Sequence, residues 1–414
     1  MKCQEILEHR YLVEKCFYQE KELSVWRVYD QLLGIVCFFL FSTENNPEKL
    51  EQISRVLDGA EEIQILAVKK IKESYVLIFS MQNREPDEER FLQILSGREK
   101  EQEAYISEVK YTEPPKEQEK ILGKGHILDD RYRVIGCIGI GGFGITYLAE
   151  DLLLHRNVTI KEYFPAEWAE REESYVVVKS SAVVEAYRYG LQSFLREIRM
   201  TAAFIHVPRI VTVYDAFHAN DTAYLVMEYI RGKSIGRHMK ERGYRPYKQE
   251  DMTEIICPVL QALTEIHIRR IVHSDISPGN IMRTENGQIR LIDLGAAKYM
   301  SDKQPALAAA FLKVDYAAPE QYRTAREGVP RDEGPWTDVY AAGATMYYLL
   351  TGHKPTDVIS RLNGVKKDLV PPRKYKVRIS RKWMKLIRHA MALERTERIQ
   401  TAKELLDEIE KIQK

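Results

Sequence analysis

The sequence predicts an α+β protein with two lobes, a small antiparallel β lobe followed by a helical lobe, and a small further α+β domain before them. Three observations lead to this prediction. Residues 131–164 and 222–230 have the β-branched and aromatic content of strands, and helical periodicity dominates beyond residue 250. The first 95 residues also repeat part of the β-lobe pattern, which indicates a related domain.

Composition limits the classes of partner and compartment. The 62 Lys+Arg and 61 Asp+Glu residues nearly cancel, so we expect neither nucleic acid nor a membrane surface as partner. The five cysteines are scattered without a CxxC pair, which is typical of reduced thiols in the cytoplasm. The longest apolar run, "LLGIVCFFLF" (32–41), is about half the length of a membrane span, and we interpret it as a buried strand.

The predicted boundaries follow changes in composition. Residues 1–95 form the first domain, and 96–126 form a linker rich in Glu, Lys and Gln. The β lobe is expected at 127–230 and the helical lobe at 231–414.

Helical periodicity is clearest in "DMTEIICPVLQALTEIHIRR" (251–270). Its apolar residues share one helical face, which indicates a helix against a core; they are Ile255, Ile256, Val259, Leu260, Leu263 and Ile266. Further helices are predicted in "TDVYAAGATMYYLLTG" (337–352) and "TAKELLDEIEKI" (401–412).

The repeat appears when the chain is shifted by 121 residues. "RYLVEKC" (10–16) then falls on "RYRVIGC" (131–137), and "DQLL" (30–33) falls on "DLLL" (151–154). With an insertion in the second copy, "ESYVLIFSM" (73–81) resembles "TAYLVMEYI" (222–230). The alternatives are a duplicated β lobe and chance similarity between strand-rich segments.

A glycine-rich stretch, "GIGGFG" (139–144), has the GxGxxG spacing that lets backbone N–H groups approach phosphate oxygens. An ordinary glycine turn is the alternative. A dinucleotide-binding loop opens a helix, whereas "ITYLAED" (145–151) has a strand pattern. We therefore expect the loop to join two strands and to cover a nucleotide.

Lys161 ends the apolar strand "NVTIK" (157–161), where a cation needs an anionic partner. Glu197, in the helical stretch "FLREIRM" (194–200), is the predicted partner, and the pair would position Lys161 toward nucleotide phosphates. A surface lysine at a strand end is the alternative.

The stretch "VHSDISPGNIM" (272–282) contains Asp275 and Asn280, and Asp293 follows in "RLIDLGAAK" (290–298). Phosphoryl transfer needs a carboxylate to accept the proton of the nucleophile and oxygen ligands for Mg²⁺. Asp275 suits the first role, and Asn280 and Asp293 suit the second. Capping or turn formation is the alternative for each single aspartate.

With these motifs in order, residues 127–414 resemble eukaryotic-type (Hanks-type) serine/threonine protein kinases, in particular a bacterial group. The remaining motifs are "AAPEQY" (317–322) and "GPWTDVYAAG" (334–343). The resemblance implies ATP and Mg²⁺ as cofactors, with Mn²⁺ as the alternative ion, and a protein substrate.

The resemblance also implies site residues. Catalytic roles fall on Asp275, Lys161, Glu197 and Ser277, and metal binding falls on Asn280 and Asp293. ATP would contact the loop residues Ile138, Gly139, Gly141, Gly142, Phe143 and Gly144, Lys161, the gatekeeper Met227, and the hinge residues Glu228 and Ile230. Glu320 would pair with Arg398, and Asp338 would anchor the backbone of the catalytic loop.

Two serines depart from the family pattern. Ser274 replaces an arginine that reads a phosphate on the activation segment, so control by phosphorylation of that segment is not expected. Ser301 lies in that segment, and its replacement should matter little. Ser277 replaces a lysine that contacts the transferred phosphate, so one stabilising charge is expected to be missing.

The first copy departs further. "YQEKEL" (18–23) lacks the three glycines, and Leu40 stands at the position of Lys161, so we expect no ATP binding there. We expect residues 1–95 to regulate the enzyme, by docking on the catalytic domain or by forming a homodimer. Two other functions remain open: a small-molecule kinase similar to aminoglycoside phosphotransferases, and a pseudokinase scaffold.

Overall fold

The structure is a computed structural model that describes residues 2–20, 22–58, 60, 62–82, 91, 94–95, 120–299, 313–327, 332–364 and 369–414. Most of the predicted linker, and Ser301, lie outside these residues. The chain forms two compact units. The first comprises Met1–His206 and Thr212–Tyr229, and the second comprises Val207–Val211 and Ile230–Lys414.

The N-terminal domain is an antiparallel sheet with strand order β1-β2-β3-β4-β6-β5 and one helix packed on it. Its elements are β1 (Ile6–Leu7), β2 (Tyr11–Gln19), β3 (Leu23–Asp30), β4 (Ile35–Ser42), α1 (Pro47–Asp58), β5 (Ile63–Ile71) and β6 (Ser74–Met81). Strand β4 confirms the prediction that the longest apolar run is a buried strand.

The β lobe contains a second antiparallel sheet, with order β7-β8-β9-β10-β14-β13. Its strands and helix are β7 (Ile127–Leu128), β8 (Tyr132–Ile140), β9 (Gly144–Asp151), β10 (Arg156–Tyr163), α2 (Val184–Ala202), β13 (Val213–Ala219) and β14 (Thr222–Glu228). A hairpin of β11 (Ala169–Glu172) and β12 (Tyr175–Val178) precedes α2. The predicted linker ends earlier than expected, because Leu122 is already buried in the core of this lobe.

The two sheets agree in register as well as in order. Strands β2, β3 and β4 begin 121 residues before β8, β9 and β10, respectively. Both first long strands carry two bulges, between Val13/Lys15 and Cys16/Tyr18 in β2 and at the positions 121 residues later in β8.

A buried ion pair also recurs in both sheets. Arg10 Nη2 lies 2.6 Å from Asp30 Oδ2, and Arg131 makes the equivalent pair with Asp151. In each sheet the aspartate also accepts hydrogen bonds from the backbone N–H groups two and three residues later. These bonds fix the tight turn after the strand.

The second unit is mainly helical. Its helices are α3 (Ile235–Glu241), α4 (Gln249–Ile268), α5 (Pro319–Glu327), α6 (Pro335–Thr351), α7 (Val358–Leu362), α8 (Arg381–Ala390) and α9 (Ala402–Gln413). Short strands β15 (Gly232–Ser234), β17 (Ile281–Thr284) and β18 (Ile289–Leu291) form one sheet, and β16 (Ile271–Val272) pairs with β19 (Lys298–Tyr299).

Helix α4 confirms the predicted helical face, since all six of its predicted core residues are buried. Helix α6 is buried along nearly its whole length, and its small residues permit close packing. It ends at Gly352, whose φ of 72° lies in the left-handed region that glycine tolerates.

None of the helices formed by the described residues combines the length with the apolar character needed to span a membrane.

Candidate active site

The glycine-rich loop joins β8 to β9, as the strand pattern of the sequence predicts. Gly141 N–H donates to Gly144 C=O at 2.8 Å and closes a tight turn. A Cβ on Gly144 would lie 2.5 Å from the carbonyl oxygen of Glu162, so the strand pairing itself excludes a side chain there. At Gly139 the nearest atom would be 3.8 Å away, which leaves the space above this part of the loop open.

The remaining loop residues form an open surface. Ile138 and Phe143 are exposed, and Phe143 packs edge-on against Trp168 with ring centroids 5.9 Å apart. Gly142 is also exposed. An exposed apolar loop of this kind is suited to covering a ligand rather than a core.

Lys161 and Glu197 form the ion pair that the sequence suggested. Lys161 lies on β10 and Glu197 on α2, and Nζ is 2.7 Å from Oε1. Both side chains are largely buried, so each charge needs the other. The pair fixes the position of the ammonium group relative to the sheet.

Met227 and Glu228 end strand β14, and Ile230 is the first residue of the long segment of the second unit. Met227 pairs with Thr159 of β10. Lys161, two residues after Thr159, pairs with Leu225, two residues before Met227. The carboxylate and backbone N–H of Glu228 both bind Thr212. Their roles toward adenine stay predictions.

Asp338 anchors the catalytic loop (residues 272–282), as predicted. Its fully buried carboxylate accepts from His273 N–H at 2.9 Å and from Ser274 N–H at 2.8 Å. Ser274 has a φ of 65°, an uncommon backbone conformation for a serine that these bonds hold in place. Burial lowers the pKa of His273, so this ring is neutral at pH 7.

Within the catalytic loop, Asn280 is bound to Asp275. Asn280 Nδ2 donates to the backbone oxygen of Asp275 at 2.8 Å and to its Oδ2 at 2.7 Å. Both bonds use the nitrogen of the amide, so Oδ1 is the atom that a metal ion would bind.

Asp293 lies at the same end of a hairpin as Asn280. Ile281 of β17 is opposite Leu291 of β18, and Ile292 N–H donates to Asn280 C=O at 2.9 Å. The donors are one amide oxygen and one carboxylate, a set that fits Mg²⁺, which binds few protein oxygens and keeps waters or phosphates as its other ligands. The described residues contain no cluster of three or more His, Cys, Asp or Glu side chains that could hold a metal alone.

Ser277 has a cationic neighbour that the sequence reasoning missed. Lys313 Nζ lies 3.2 Å from Ser277 Oγ and 2.7 Å from Asp275 Oδ2. A positive charge is therefore present at the place where we expected one to be missing. The sequence does contain a signal for this contact. Serine stands at 277, where the family has a lysine, and a lysine is present at 313, just before "AAPEQY".

Ser274 is held by neutral and acidic groups of the second unit. Its Oγ donates to Glu333 Oε2 at 2.9 Å, and its carbonyl accepts from Gln321 Nε2 at 2.8 Å. Gln321 also accepts from Ala318 N–H at 2.9 Å. The catalytic loop is thus joined to the "AAPEQY" segment by hydrogen bonds that involve no phosphate.

The ion pair of Glu320 and Arg398 is confirmed. Arg398 Nη1 and Nη2 donate to the two carboxylate oxygens of Glu320 at 2.8 and 3.2 Å. A bidentate pair of this kind fixes orientation as well as charge.

The family model and the curated relatives that match this chain are both of protein kinases. Residues 132–409 match the family model of the protein kinase domain. The serine/threonine-protein kinase PknB of Mycolicibacterium smegmatis is 32% identical over 289 residues, which cover 67% of this chain and 42% of PknB. PrkC of Bacillus subtilis, also a serine/threonine-protein kinase, is 31% identical over 246 residues, 59% of this chain and 34% of PrkC.

The chain thus spans about two fifths or less of the length of these curated relatives. Among solved structures, the apo form of PpkA-294 matches with a TM-score of 0.61 and 26% identity, covering 70% of this chain and 99% of that chain.

Proposed function

Because the chain belongs to the protein kinase family, we propose that it is a cytoplasmic serine/threonine protein kinase that transfers the γ-phosphate of ATP to a protein substrate. The observation that carries this proposal is the intact pair of Asp275 and Asn280, joined by two hydrogen bonds in the catalytic loop. A scaffold without activity has no need to keep a base and a metal ligand in this arrangement.

The proposed roles follow from chemistry. The backbone of the glycine-rich loop and Lys161, oriented by Glu197, would bind nucleotide phosphates. Asn280 and Asp293 would hold Mg²⁺, which neutralises charge on the phosphates when bound. Asp275 would orient the substrate hydroxyl and accept its proton.

The test is a transfer assay with radiolabelled ATP, a generic protein substrate and an aminoglycoside in separate reactions. We expect label on protein, and at least a hundredfold less in Asp275→Asn, since Asn cannot accept the proton. Label on the aminoglycoside alone would indicate a small-molecule kinase. Equal background in the wild type and Asp275→Asn would indicate a pseudokinase scaffold.

We further propose that phosphorylation of the activation segment does not control the enzyme. Ser274 cannot form the bidentate ion pair with phosphate that an arginine forms. In place of such a pair, Glu333 and Gln321 hold Ser274 directly.

The N-terminal domain is, in this proposal, a duplicated and degenerate copy of the β lobe. The shared strand order, the shared bulges and the repeated Arg–Asp pair support it. Two unrelated strand-rich segments are not expected to carry bulges at equivalent positions, because a bulge is a local feature of one strand. The matching bulges therefore favour duplication over chance similarity.

The same register explains why the first copy would not bind ATP. Leu40 pairs with Val25 on one side and Leu77 on the other. Lys161 has the equivalent neighbours in the second sheet, Thr146 and Leu225. Leu40 is 0% exposed. A hydrocarbon side chain in the core cannot bind phosphate.

Aromatic rings fill this face of the first sheet. Phe79 stacks on Phe38 and on Phe91, with ring centroids 5.5 and 5.7 Å apart. In the first sheet Phe79 is opposite Phe38, and in the second sheet the proposed gatekeeper Met227 is opposite Thr159. Phe79 therefore stands at the position of the gatekeeper. The space that a nucleotide would need on this face is therefore occupied by packed side chains.

A binding titration of the full chain with a fluorescent ATP analogue tests this point. We expect one site per chain, and loss of that site in Lys161→Met, whose aliphatic side chain keeps the volume but not the charge. A second site, or full binding retained in Lys161→Met, would contradict the proposed degeneracy.

We also propose that the N-terminal domain regulates the kinase by docking on the β lobe of its own chain rather than by forming a homodimer. Arg156 Nη2 of the lobe donates to Leu66 C=O at 2.7 Å, and Arg10 Nη1 donates to Ala216 C=O at 2.6 Å. Lys69 reaches the buried Asp215 of the lobe. These contacts support docking within one chain.

Steady-state turnover of Lys69→Ala tests the regulation. We expect a change of more than threefold, in either direction, because the buried contact with Asp215 is lost. The control is Lys72→Ala, which removes an exposed ion pair with Glu5 inside the same domain. Equal turnover in both variants and the wild type would count against regulation through this contact.

A further inference from the structure

Lys313 places an ammonium group in the catalytic loop from outside that loop. Its Nζ atom is 2.7 Å from Asp275 Oδ2 and 3.2 Å from Ser277 Oγ. A lysine ammonium has three N–H donors, so these two bonds leave one for a further acceptor. The side chain is 42% exposed, which keeps that donor accessible to a ligand.

The backbone that carries Lys313 is fixed. Its carbonyl accepts from Tyr316 N–H at 2.8 Å and from Ala317 N–H at 2.9 Å. Tyr316 is buried and packs edge-on against Tyr348. The backbone of Lys313 is therefore held by a hydrogen-bonded turn next to a buried aromatic residue.

We propose that Lys313 is a catalytic residue that supplies to the transferred phosphoryl group the positive charge lacking at Ser277. This inference rests on the kinase activity proposed above. The hydroxyl oxygen of the substrate bonds to the γ-phosphorus, and the bond from that phosphorus to the β–γ bridging oxygen breaks. The hydroxyl proton passes to Asp275, ADP leaves with the bonding pair, and the ammonium of Lys313 stays protonated.

Distance supports this role. A hydroxyl that Asp275 deprotonates lies about 2.6–3.2 Å from its carboxylate, and the phosphorus lies about 3–3.5 Å beyond the hydroxyl oxygen. Lys313 already binds the same carboxylate, so a γ-phosphoryl oxygen falls within reach of its third donor. A cation at this point stabilises the charge on the phosphoryl oxygens as transfer proceeds.

The alternative is that the ion pair with Lys313 inhibits the enzyme, because it blocks the carboxylate of Asp275 from accepting the substrate proton. The two readings predict opposite signs. Removing a catalytic charge lowers turnover, whereas removing an inhibitory contact raises it.

The experiment compares Lys313→Ala, Lys313→Arg and the exchanged variant Ser277→Lys/Lys313→Ala in the full chain. We expect kcat to fall about 10- to 100-fold in Lys313→Ala, with the KM for ATP within threefold of the wild type. We expect Lys313→Arg to keep more activity, and the exchanged variant to recover at least tenfold over Lys313→Ala. The control is Lys354→Ala, which removes an exposed ion pair with Asp315 and should change kcat less than twofold.

Thermal unfolding of each variant verifies that it is folded. A higher or unchanged kcat in Lys313→Ala would overturn the proposal, and so would a loss that the exchanged variant fails to restore. An inactive wild type refutes the proposed function as well, whereas an active wild type insensitive to Lys313→Ala refutes this inference alone.

Discussion

Lys69 Nζ in the N-terminal domain lies 2.7 Å from Asp215 Oδ2 in the β lobe. Asp215 is only 2% exposed, and Arg10 provides a second cation from the same domain at 3.0 Å. A buried carboxylate that depends on cations from another domain couples the stability of the two domains.

Asp215→Asn removes the charge that balances Lys69 and Arg10. Arg10 then keeps only Asp30 and Lys69 only Asp129 as acidic partners. Because each cation loses a charged hydrogen-bond partner in a buried place, we expect the free energy of unfolding to fall by about 1.5–3 kcal/mol. Urea unfolding of the full chain measures this change. Asp407→Asn is the control, because its partner Lys403 is exposed, and a change below about 1 kcal/mol is expected there.

The same carboxylate predicts a dependence of stability on pH. Burial alone would raise the pKa of Asp215, but Lys69, Arg10 and Arg131 lower it well below its ordinary value. A lowered pKa in the folded state contributes stability that is fully present above the unfolded value of about 3.9 and is lost as the pH falls below it. We expect Asp215→Asn to show a shallower loss of stability below about pH 4 than the wild type. Unfolding curves of both proteins from pH 7 to pH 2 measure this difference. If the free energy of unfolding fell equally in both proteins below pH 4, Asp215 would not be the group responsible.

The strands and helices could be predicted because apolar periodicity reports local burial. The six apolar residues predicted on one face of α4 are all buried there. The position of the catalytic loop could also be anticipated, since Asp275 and Asn280 are close in sequence. These features depend on short stretches of chain.

The contacts of Lys313 and Lys69 could not be predicted in the same way. Lys313 and Asp275 are 38 residues apart in sequence, so their contact is a tertiary one that no local pattern reports. Asp215 reads in sequence as an ordinary residue of a strand, because its partner Lys69 belongs to another domain. Neither contact leaves a periodic signal.

A matched pair of glycine variants separates packing from binding in the glycine-rich loop. A Cβ at Gly144 would meet the carbonyl oxygen of Glu162 at 2.5 Å, so Gly144→Ala should lower stability by about 1–3 kcal/mol. Gly139→Ala has room for its Cβ and should leave stability within about 0.5 kcal/mol. We expect Gly139→Ala to raise the KM for ATP, because a side chain obstructs the approach of phosphate to the backbone. Thermal unfolding and steady-state kinetics test the pair, and a reversed order of stabilities would contradict it.

Gln321 tests whether the catalytic loop is held without phosphate. Its Nε2 donates to Ser274 C=O, and Gln321→Ala leaves this carbonyl without that donor. Because a lost buried hydrogen bond costs about 1–3 kcal/mol and this one positions the residue beside Asp275, we expect kcat to fall about tenfold. Gln413→Ala, an exposed change at the end of α9, is the control and should leave kcat unaltered.

Phosphatase treatment of the wild type, and Ser301→Ala, should change kcat less than threefold, because Ser274 offers no cation to a phosphate. Ser301 lies outside the described residues, so this expectation depends on Ser274 and its partners alone. Two results together would contradict this view: a tenfold loss of kcat after phosphatase treatment or in Ser301→Ala, and a normal kcat in Gln321→Ala. They would show that a phosphate holds the catalytic loop and that Gln321 does not.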